Sequence, residues 1–262
     1  MSLIHHALRA GRDAPVGAAA ASRRVLVAGG AGALGAAVLE QLLANRHFAQ
    51  VTVLVTQPIN AALRGLATLP CDALAHPGAA DDTALVVFDR ERHANGREAA
   101  FLRPLPAGLP ALAASLHARG VRRLLVVMPH ASASLPDALK RGLANLDEHA
   151  VAALGFEHLV FVRSAQPPAA SVGASAPQRV ADWVLAQLQL MVPQRDKPVR
   201  ASKVAQFVAQ LAVLLPDAPP GTRVVPPELV WEASQSRDVA GVAGDWLQGR
   251  ERAAAAVQPL RM

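Results

Sequence analysis

The stretch Arg24–Ala44, RVLVAGGAGALGAAVLEQLLA, decides how this chain folds. Val25–Ala28 is a short apolar run rich in β-branched residues, as expected of a buried parallel strand. Closely spaced glycines follow it, and then apolar residues recur at helical spacing up to Asn45. Val51–Val55 is a second apolar run. A strand, a glycine turn, a helix and a second strand within about 30 residues predict a βαβ unit.

The same alternation continues towards the carboxyl terminus. Further strands are expected at Thr83–Phe88, Val121–Val127 and His158–Val162, and a poorly marked one near Ala73–Leu74. Helical patterns lie between and after these strands, one of them over Leu135–Leu154. Strands that alternate with helices predict the α/β class, with a doubly wound, mostly parallel, Rossmann-like sheet and helices on both faces.

The composition excludes several classes of protein. With 262 residues, 52% hydrophobic and 18% charged, the chain is far from a disordered composition. One cysteine excludes a disulfide framework and a cysteine-based zinc cluster, and no metal site is predicted. No stretch approaches the ~20 apolar residues of a membrane helix, so no membrane association is predicted and the expected location is cytoplasmic.

The positive charge does not indicate nucleic-acid binding. The formal net charge is +6, but only three of the 26 basic residues are lysines, so the pI of 10.8 reflects arginines that do not titrate. These arginines are scattered along the chain and form no basic stripe. No nucleic-acid partner is therefore predicted.

The glycines after the first strand fit two versions of a dinucleotide-binding motif. Gly30, Gly32 and Gly35 match GxGxxG, and Gly29 with the last two matches GxxGxxG. Either version permits a tight turn and a close approach of a pyrophosphate to the backbone, at a helix N-terminus that offers free N–H groups. The turn follows a strand and opens a helix, which is the context this motif requires. The residues predicted to bind the cofactor here are Gly29, Gly30, Ala31, Gly32, Ala33, Leu34 and Gly35.

The segment VLVAGGAGALGAAVLEQLLA resembles the opening of the short-chain dehydrogenase/reductase superfamily, in its extended and atypical branch. That branch includes NmrA-like regulators and relatives of the human Tat-interacting oxidoreductase. ARGVRRLLVVMP, EHAVAALGFEHLVFVR and PVRASKVAQFVAQLAV are similar to its fifth strand, sixth strand and late helix, so the resemblance covers roughly Arg23 to Trp231. It implies an NAD(P)-binding Rossmann fold.

Domain boundaries follow from this interpretation. Residues 1–22 are expected to form a flexible N-terminal arm, and residues 23–250 a single NAD(P)-binding domain. Within it, the part from 166 to 250 opens with a stretch rich in Pro, Ala and Ser and is expected to form a small substrate or lid region. The alanine-rich residues 251–262 are expected to fray.

The choice of cofactor is read at the end of the second strand, where an acid suits a ribose hydroxyl and an arginine suits a 2′-phosphate. Thr56 follows Val55 there, with neither an acid nor an arginine beside it. The cofactor is therefore predicted as NADP or NAD, with a slight preference for NADP. The Arg64 side chain could reach this place, but the favoured interpretation is an exposed arginine without a role in cofactor binding. Asp89, after the fourth strand, and Met128, after the fifth, are the other predicted cofactor contacts.

The resemblance also implies where catalytic residues would stand. Members of the superfamily use Ser, Tyr and Lys. In this chain Met128-Pro129 stands at the serine position, Lys140 at the tyrosine position and Ala144 at the lysine position, and the whole chain has no tyrosine. No catalytic residue is predicted. The one weak candidate for a replacement acid is His130, for which a solvated loop histidine is the favoured reading.

Two other groups of reactive residues are predicted to be structural. Asp147, Glu148 and His149 are adjacent on a helix and therefore point in different directions, so an exposed polar helix face is predicted. Cys71 has no basic neighbour in sequence and is predicted to be an inert packed thiol.

Three hypotheses for function remain open. The first is a non-catalytic or regulatory protein that binds a dinucleotide and in response changes its affinity for a protein partner or its oligomeric state. The second is an NAD(P)H-dependent reductase that transfers hydride by proximity to a small flat substrate such as a flavin or quinone. The third is a scaffold that has lost cofactor binding, which a side chain blocking the glycine turn would support. The oligomeric state is not predicted.

Overall fold

The computed structural model describes residues 23–59, 63–76, 81–89, 99–130, 145–165 and 199–250, and every structural statement below concerns these ranges. Seven strands lie in these ranges: β1 (Arg24–Ala28), β2 (Gln50–Val55), β3 (Leu66–Pro70), β4 (Thr83–Val87), β5 (Arg123–His130), β6 (His158–Ala165) and β7 (Gly221–Val225). The α-helices are α1 (Gly32–Ala44), α2 (Leu109–Ala118), α3 (Leu146–Ala152), α4 (Ala201–Leu214), α5 (Pro227–Gln235) and α6 (Val239–Leu247).

The strands form one parallel sheet in the order β3-β2-β1-β4-β5-β6-β7. In register, Val25 of β1 lies beside Val51 of β2 on one side and Thr83 of β4 on the other. The chain builds outward from β1 through β2 to β3 and then returns to β4 on the opposite side. The predicted α/β class with a parallel sheet is confirmed, and the strand order reverses between β1 and β4, where such sheets bind ligands.

Alternating side chains of the buried strands pack into two hydrophobic cores, one on each face of the sheet. Val25 and Val27 of β1 face a core that includes residues of α1, α4 and α6, among them the fully buried Phe207. Leu26 and Ala28 face the opposite core, which includes Leu116, Val151 and Phe156. Helices therefore cover both faces of the sheet, as the apolar runs of its central strands require.

The third strand is where the sequence interpretation was wrong. A strand was expected near Ala73–Leu74, but β3 is Leu66–Pro70, and a 3₁₀ turn, Cys71–Ala75, occupies the expected place. Among the described strands β3 pairs with β2 alone, and its side chains are half-exposed or exposed, unlike those of the central strands. Its final proline is tolerated because β3 lies at the edge of the sheet.

The bounds of the other predicted elements differ from the observed ones by a few residues. Helix α5 was not expected from the sequence. α3 begins at Leu146, and the earlier part of the helix predicted over Leu135–Leu154 lies outside the described residues. α5 begins at a proline, which suits a first helical position because its missing N–H would be unpaired there anyway. The predicted arm, tail and most of the Pro-rich segment also lie outside the described ranges.

Within the described residues no helix is both long enough and apolar enough to span a bilayer.

A buried histidine at the amino end of the sheet predicts a pH dependence of stability. The side chain of His158 is only 1% exposed, and its Nδ1 atom has no hydrogen-bond partner in the described part of the chain. Burial lowers the pKa of His158, with Glu157 opposing this effect and Arg123 and Arg223 adding to it. The unfolded imidazole, with a pKa of about 6.5, binds protons more readily than the folded one.

The contribution of His158 to stability is therefore present above about pH 6.5 and is lost as the pH falls towards the lower folded pKa. A His158→Gln variant is expected to lose less unfolding free energy than the wild type between pH 7.5 and 5.5, the two differing by at most about 1.4 kcal/mol per pH unit. Urea unfolding at the two pH values measures this. The exposed His149, replaced by Gln, is the control and should follow the wild type; an unchanged slope in His158→Gln would contradict the account.

Candidate nucleotide-binding site

The glycine turn between β1 and α1 is built so tightly that side chains are excluded from it. Gly29 has φ +95°, in the left-handed region, and a methyl carbon added there would overlap the carbonyl oxygen of Val87 on β4. A methyl carbon at Gly35 would overlap the carbonyl oxygen of Gly29. The first glycine therefore lets β1 pass close to β4, and the last lets α1 pack against the turn.

The start of α1 offers backbone donors to an anion. The residue before the helix, Ala31, provides no side-chain cap, and the first turn contains no acidic residue. A carboxylate reaches this turn from outside the helix, because the Leu34 N–H donates to Oδ2 of Asp89 over 2.6 Å. A helix N-terminus favours negative charge, so this contact shows the first turn of α1 holding an anionic group.

The site lies at the carboxyl ends of β1 and β4, where the strand order reverses. Asp89 comes two residues after the end of β4, which pairs with β1 through Ala28 and Val86. The geometry therefore joins the glycine turn and Asp89, although they are 55 residues apart in the chain at the Leu34 contact.

The end of β2 forms the neighbouring rim of the site. The Thr56 N–H and hydroxyl both donate to the carbonyl oxygen of Ala100, over 2.8 and 3.1 Å. Phe101 forms an isolated antiparallel bridge with Val55. Residues 100–102 thus continue alongside the end of β2. The Thr56 hydroxyl keeps its acceptor lone pairs, and the residue is exposed.

Met128 lies near the carboxyl end of β5, two strands from β1 in the sheet order, and is half-buried. In register it is beside Arg163 of β6. The Arg163 guanidinium pairs with the Glu148 carboxylate, Nη2 to Oε2 over 2.9 Å, and both side chains are at most 3% exposed. A buried ion pair therefore joins β6, the strand next to Met128, to helix α3.

This pair corrects the prediction of an exposed acidic face on α3. Asp147 and His149 are exposed as expected, but Glu148 points inward to Arg163. The Asn145 side chain caps α3 by accepting from the Glu148 N–H over 2.8 Å, which fixes the start of the helix. Nothing local in the sequence marks Glu148, since its partner lies on another strand.

Several other candidates lie away from the glycine turn or outside the description. Arg64 precedes β3 and lies beside the start of β2, about 17 Å of strand from Thr56, so it is not at this edge of the sheet. His130 ends β5, but its side chain is outside the described part, and so are the residues Lys140 and Ala144.

Cys71 was predicted to be an inert thiol, and its pKa is raised by burial and, to a smaller extent, by Asp72. Among the described residues no three His, Cys, Asp or Glu side chains group as a metal would require.

Comparison with known proteins gives similarity to solved structures alone. No family model and no curated protein matches the chain. It is similar to a Rossmann-fold NAD(P)-binding family protein from Shigella flexneri, at 17% identity over 77% of this chain and 92% of that one, with a TM-score of 0.47. The enzyme WbmG from Bordetella bronchiseptica, in complex with NAD, is 15% identical over 82% and 79%, with a TM-score of 0.42.

A third similar structure is the UDP-N-acetylglucosamine 4-epimerase from Bacillus cereus, at 14% identity over 78% of this chain and 79% of that one, with a TM-score of 0.44. At these identities and scores the similarity assigns neither family nor activity. The Rossmann-like assignment rests on the strand order, register and glycine turn of this chain itself.

Proposed function

We propose that this chain binds a nicotinamide dinucleotide, NADP(H) or NAD(H), at the turn between β1 and α1 and acts as a non-catalytic, regulatory dinucleotide-binding protein. The observation that carries the proposal is the anion-holding first turn of α1, reached through a glycine turn at the reversal point of the sheet. Backbone N–H groups at such a helix start fit a pyrophosphate.

The proposed contacts follow the edge of the sheet. The pyrophosphate would lie against the residues of the turn, Gly29, Gly30, Ala31, Gly32, Ala33, Leu34 and Gly35. Thr56, exposed at the end of β2, would face the adenosine ribose. Asp89 and Met128, after β4 and near the end of β5, would border the nicotinamide half. The absence of an acid beside Thr56 supports NADP over NAD.

The regulatory role is supported by the missing acid–base residue. The expected proton donor of the resembled superfamily is a tyrosine, and the chain contains none. When bound, a reduced nicotinamide supplies a hydride, but a donor for the accompanying proton has to come from the chain or from water. We therefore propose that binding itself is the signal, with a protein partner or a change of assembly as its readout.

The proposed binding site predicts an effect of charge in the first turn of α1. Ala33 is exposed there, so an Ala33→Asp substitution adds a negative charge beside the phosphate position without disturbing a core contact. An acid suits a helix N-terminus, but the new carboxylate would also lie near that of Asp89. These two effects on stability oppose each other, so the unfolding free energy should stay within about 1 kcal/mol of the wild type. Its affinity for NADPH should fall about tenfold or more, measured by calorimetric titration.

Ala36→Asp is the matched control for this test. Ala36 is also exposed on α1 but lies about one turn further along the helix than Ala33, so affinity should stay within about twofold of the wild type. Equal affinities of all three proteins would place the dinucleotide elsewhere. An absence of NADPH and NADH binding by the wild type at millimolar concentration would overturn the proposal.

A further inference from the structure

Asp89 occupies the place that a phosphate needs. Its Oδ2 accepts the Leu34 N–H over 2.6 Å, the distance of a charge-assisted hydrogen bond. The same oxygen lies 2.5 Å from where a methyl carbon of residue 32 would be, so the carboxylate is packed against the bare backbone of Gly32. The glycine that would admit a pyrophosphate therefore already admits a side chain of the protein. A side chain at the glycine turn is what the scaffold hypothesis requires, so the titrations below also decide between that hypothesis and the proposed function.

We propose that Asp89 is an internal anion that caps α1 while no dinucleotide is bound and that must leave the Leu34 N–H before a phosphate can take it. This inference rests on the proposed function. It goes beyond that function in two respects. Asp89 lowers the affinity for the dinucleotide, and the departure of its carboxylate from the Leu34 N–H is a step in binding.

The electrostatics support an exclusive choice between the two anions. One N–H cannot serve a carboxylate and a phosphate oxygen at full strength. Two negative charges a few ångströms apart near a protein surface repel each other strongly, so they do not share the first turn. The dipole of α1 attracts either anion, so the cap lowers the energy of the free protein and thereby weakens net binding.

The position of Asp89 allows the exchange. It stands two residues beyond the end of β4 and is half-buried, so we expect its side chain to be able to move off the Leu34 N–H. Phe88, the preceding residue, is buried, and its N–H donates to the Val127 carbonyl, so the backbone up to that point stays in the sheet. The exchange we propose is therefore a movement of the Asp89 side chain while β4 stays in the sheet.

The chain offers a matched control for removing this carboxylate. Asp238 precedes α6, and its Oδ1 accepts the Gly241 N–H over 2.8 Å, so it makes the same kind of helix cap. Asp89→Asn and Asp238→Asn each remove one negative charge and keep an acceptor at a helix N-terminus. The full-length chain is titrated with NADPH by calorimetry, in parallel for the wild type and both variants, with circular dichroism as a check of folding.

We expect Asp89→Asn to bind NADPH about tenfold more tightly than the wild type, and Asp238→Asn to bind within about twofold of it. Asp89→Ala, which removes the acceptor altogether, should bind at least as tightly as Asp89→Asn, so the test does not depend on one variant.

Two failures of the test are distinguishable. If the wild type and both Asp89 variants bind with equal affinity, or if the variants bind more weakly, Asp89 does not oppose the ligand and this inference is overturned while the proposed function stands. If none of the proteins binds NADPH or NADH at millimolar concentration, the proposed function fails and the inference falls with it.

Discussion

A Gly29→Ala variant is expected to lose about 2 to 5 kcal/mol of unfolding free energy. Two effects add up. A left-handed backbone costs an alanine about 1–2 kcal/mol, and the φ of Gly29 is +95°. The added methyl carbon would overlap the Val87 carbonyl oxygen and lie 3.2 Å from Cδ of Pro104, so the backbone itself would have to move, at a further ~1–3 kcal/mol.

Gly120→Ala separates these two effects. Gly120 has φ +103°, and a methyl carbon there would meet no heavy atom within 4 Å. This control should therefore lose only the backbone contribution, about 1–2 kcal/mol. Urea unfolding of both variants measures the difference. If the two substitutions cost the same, the close approach of β1 to β4 at Gly29 does not constrain the turn.

A Glu148→Gln variant is expected to lose about 3–5 kcal/mol of unfolding free energy. The carboxylate and the Arg163 guanidinium are both buried, and removing one charge leaves the other in a medium of low polarity. The neighbouring Asp147→Asn is the control, because Asp147 is exposed on the same helix and should change stability by no more than about 0.5 kcal/mol.

The double substitution Glu148→Leu with Arg163→Met tests the cause of that loss. If an unpaired buried charge is responsible, replacing both partners by apolar side chains of similar size should recover most of the stability, since no charge is then stranded. Chemical denaturation of the single and double variants completes the cycle. A double variant as unstable as the sum of its singles would show that the pair supports the fold through contacts other than its charges.

The fold could be predicted because its signals are local. β1, the glycine turn and α1 lie within one continuous stretch, where apolar runs and glycine spacing report directly on the backbone. β3 could not be placed in the same way. β3 (LATLP) and the turn that follows it (CDALA) are both short and mostly apolar, so the sequence pattern does not separate the strand from the turn.

Only those parts of the candidate site that are formed by residues close together in the sequence could be predicted. The glycines and Ala33 belong to one motif of neighbouring residues, so the sequence alone marks them. The contact of Asp89 with Leu34 depends on β4 lying beside β1, and the burial of Glu148 depends on Arg163 of β6. Such pairings are set by the strand order of the sheet, so a single sequence marks the carboxylates without showing which basic or backbone group each one meets.

Hydrogen–deuterium exchange of the full-length chain with and without NADPH is the most direct test of dinucleotide binding at the glycine turn. The account predicts slower exchange of the backbone amides of residues 29–35 when NADPH is present, because pyrophosphate oxygens would accept their N–H groups. Amides on the opposite edge of the sheet, such as that of His158, should exchange unchanged. Unaltered exchange at residues 29–35 under saturating NADPH would contradict the account.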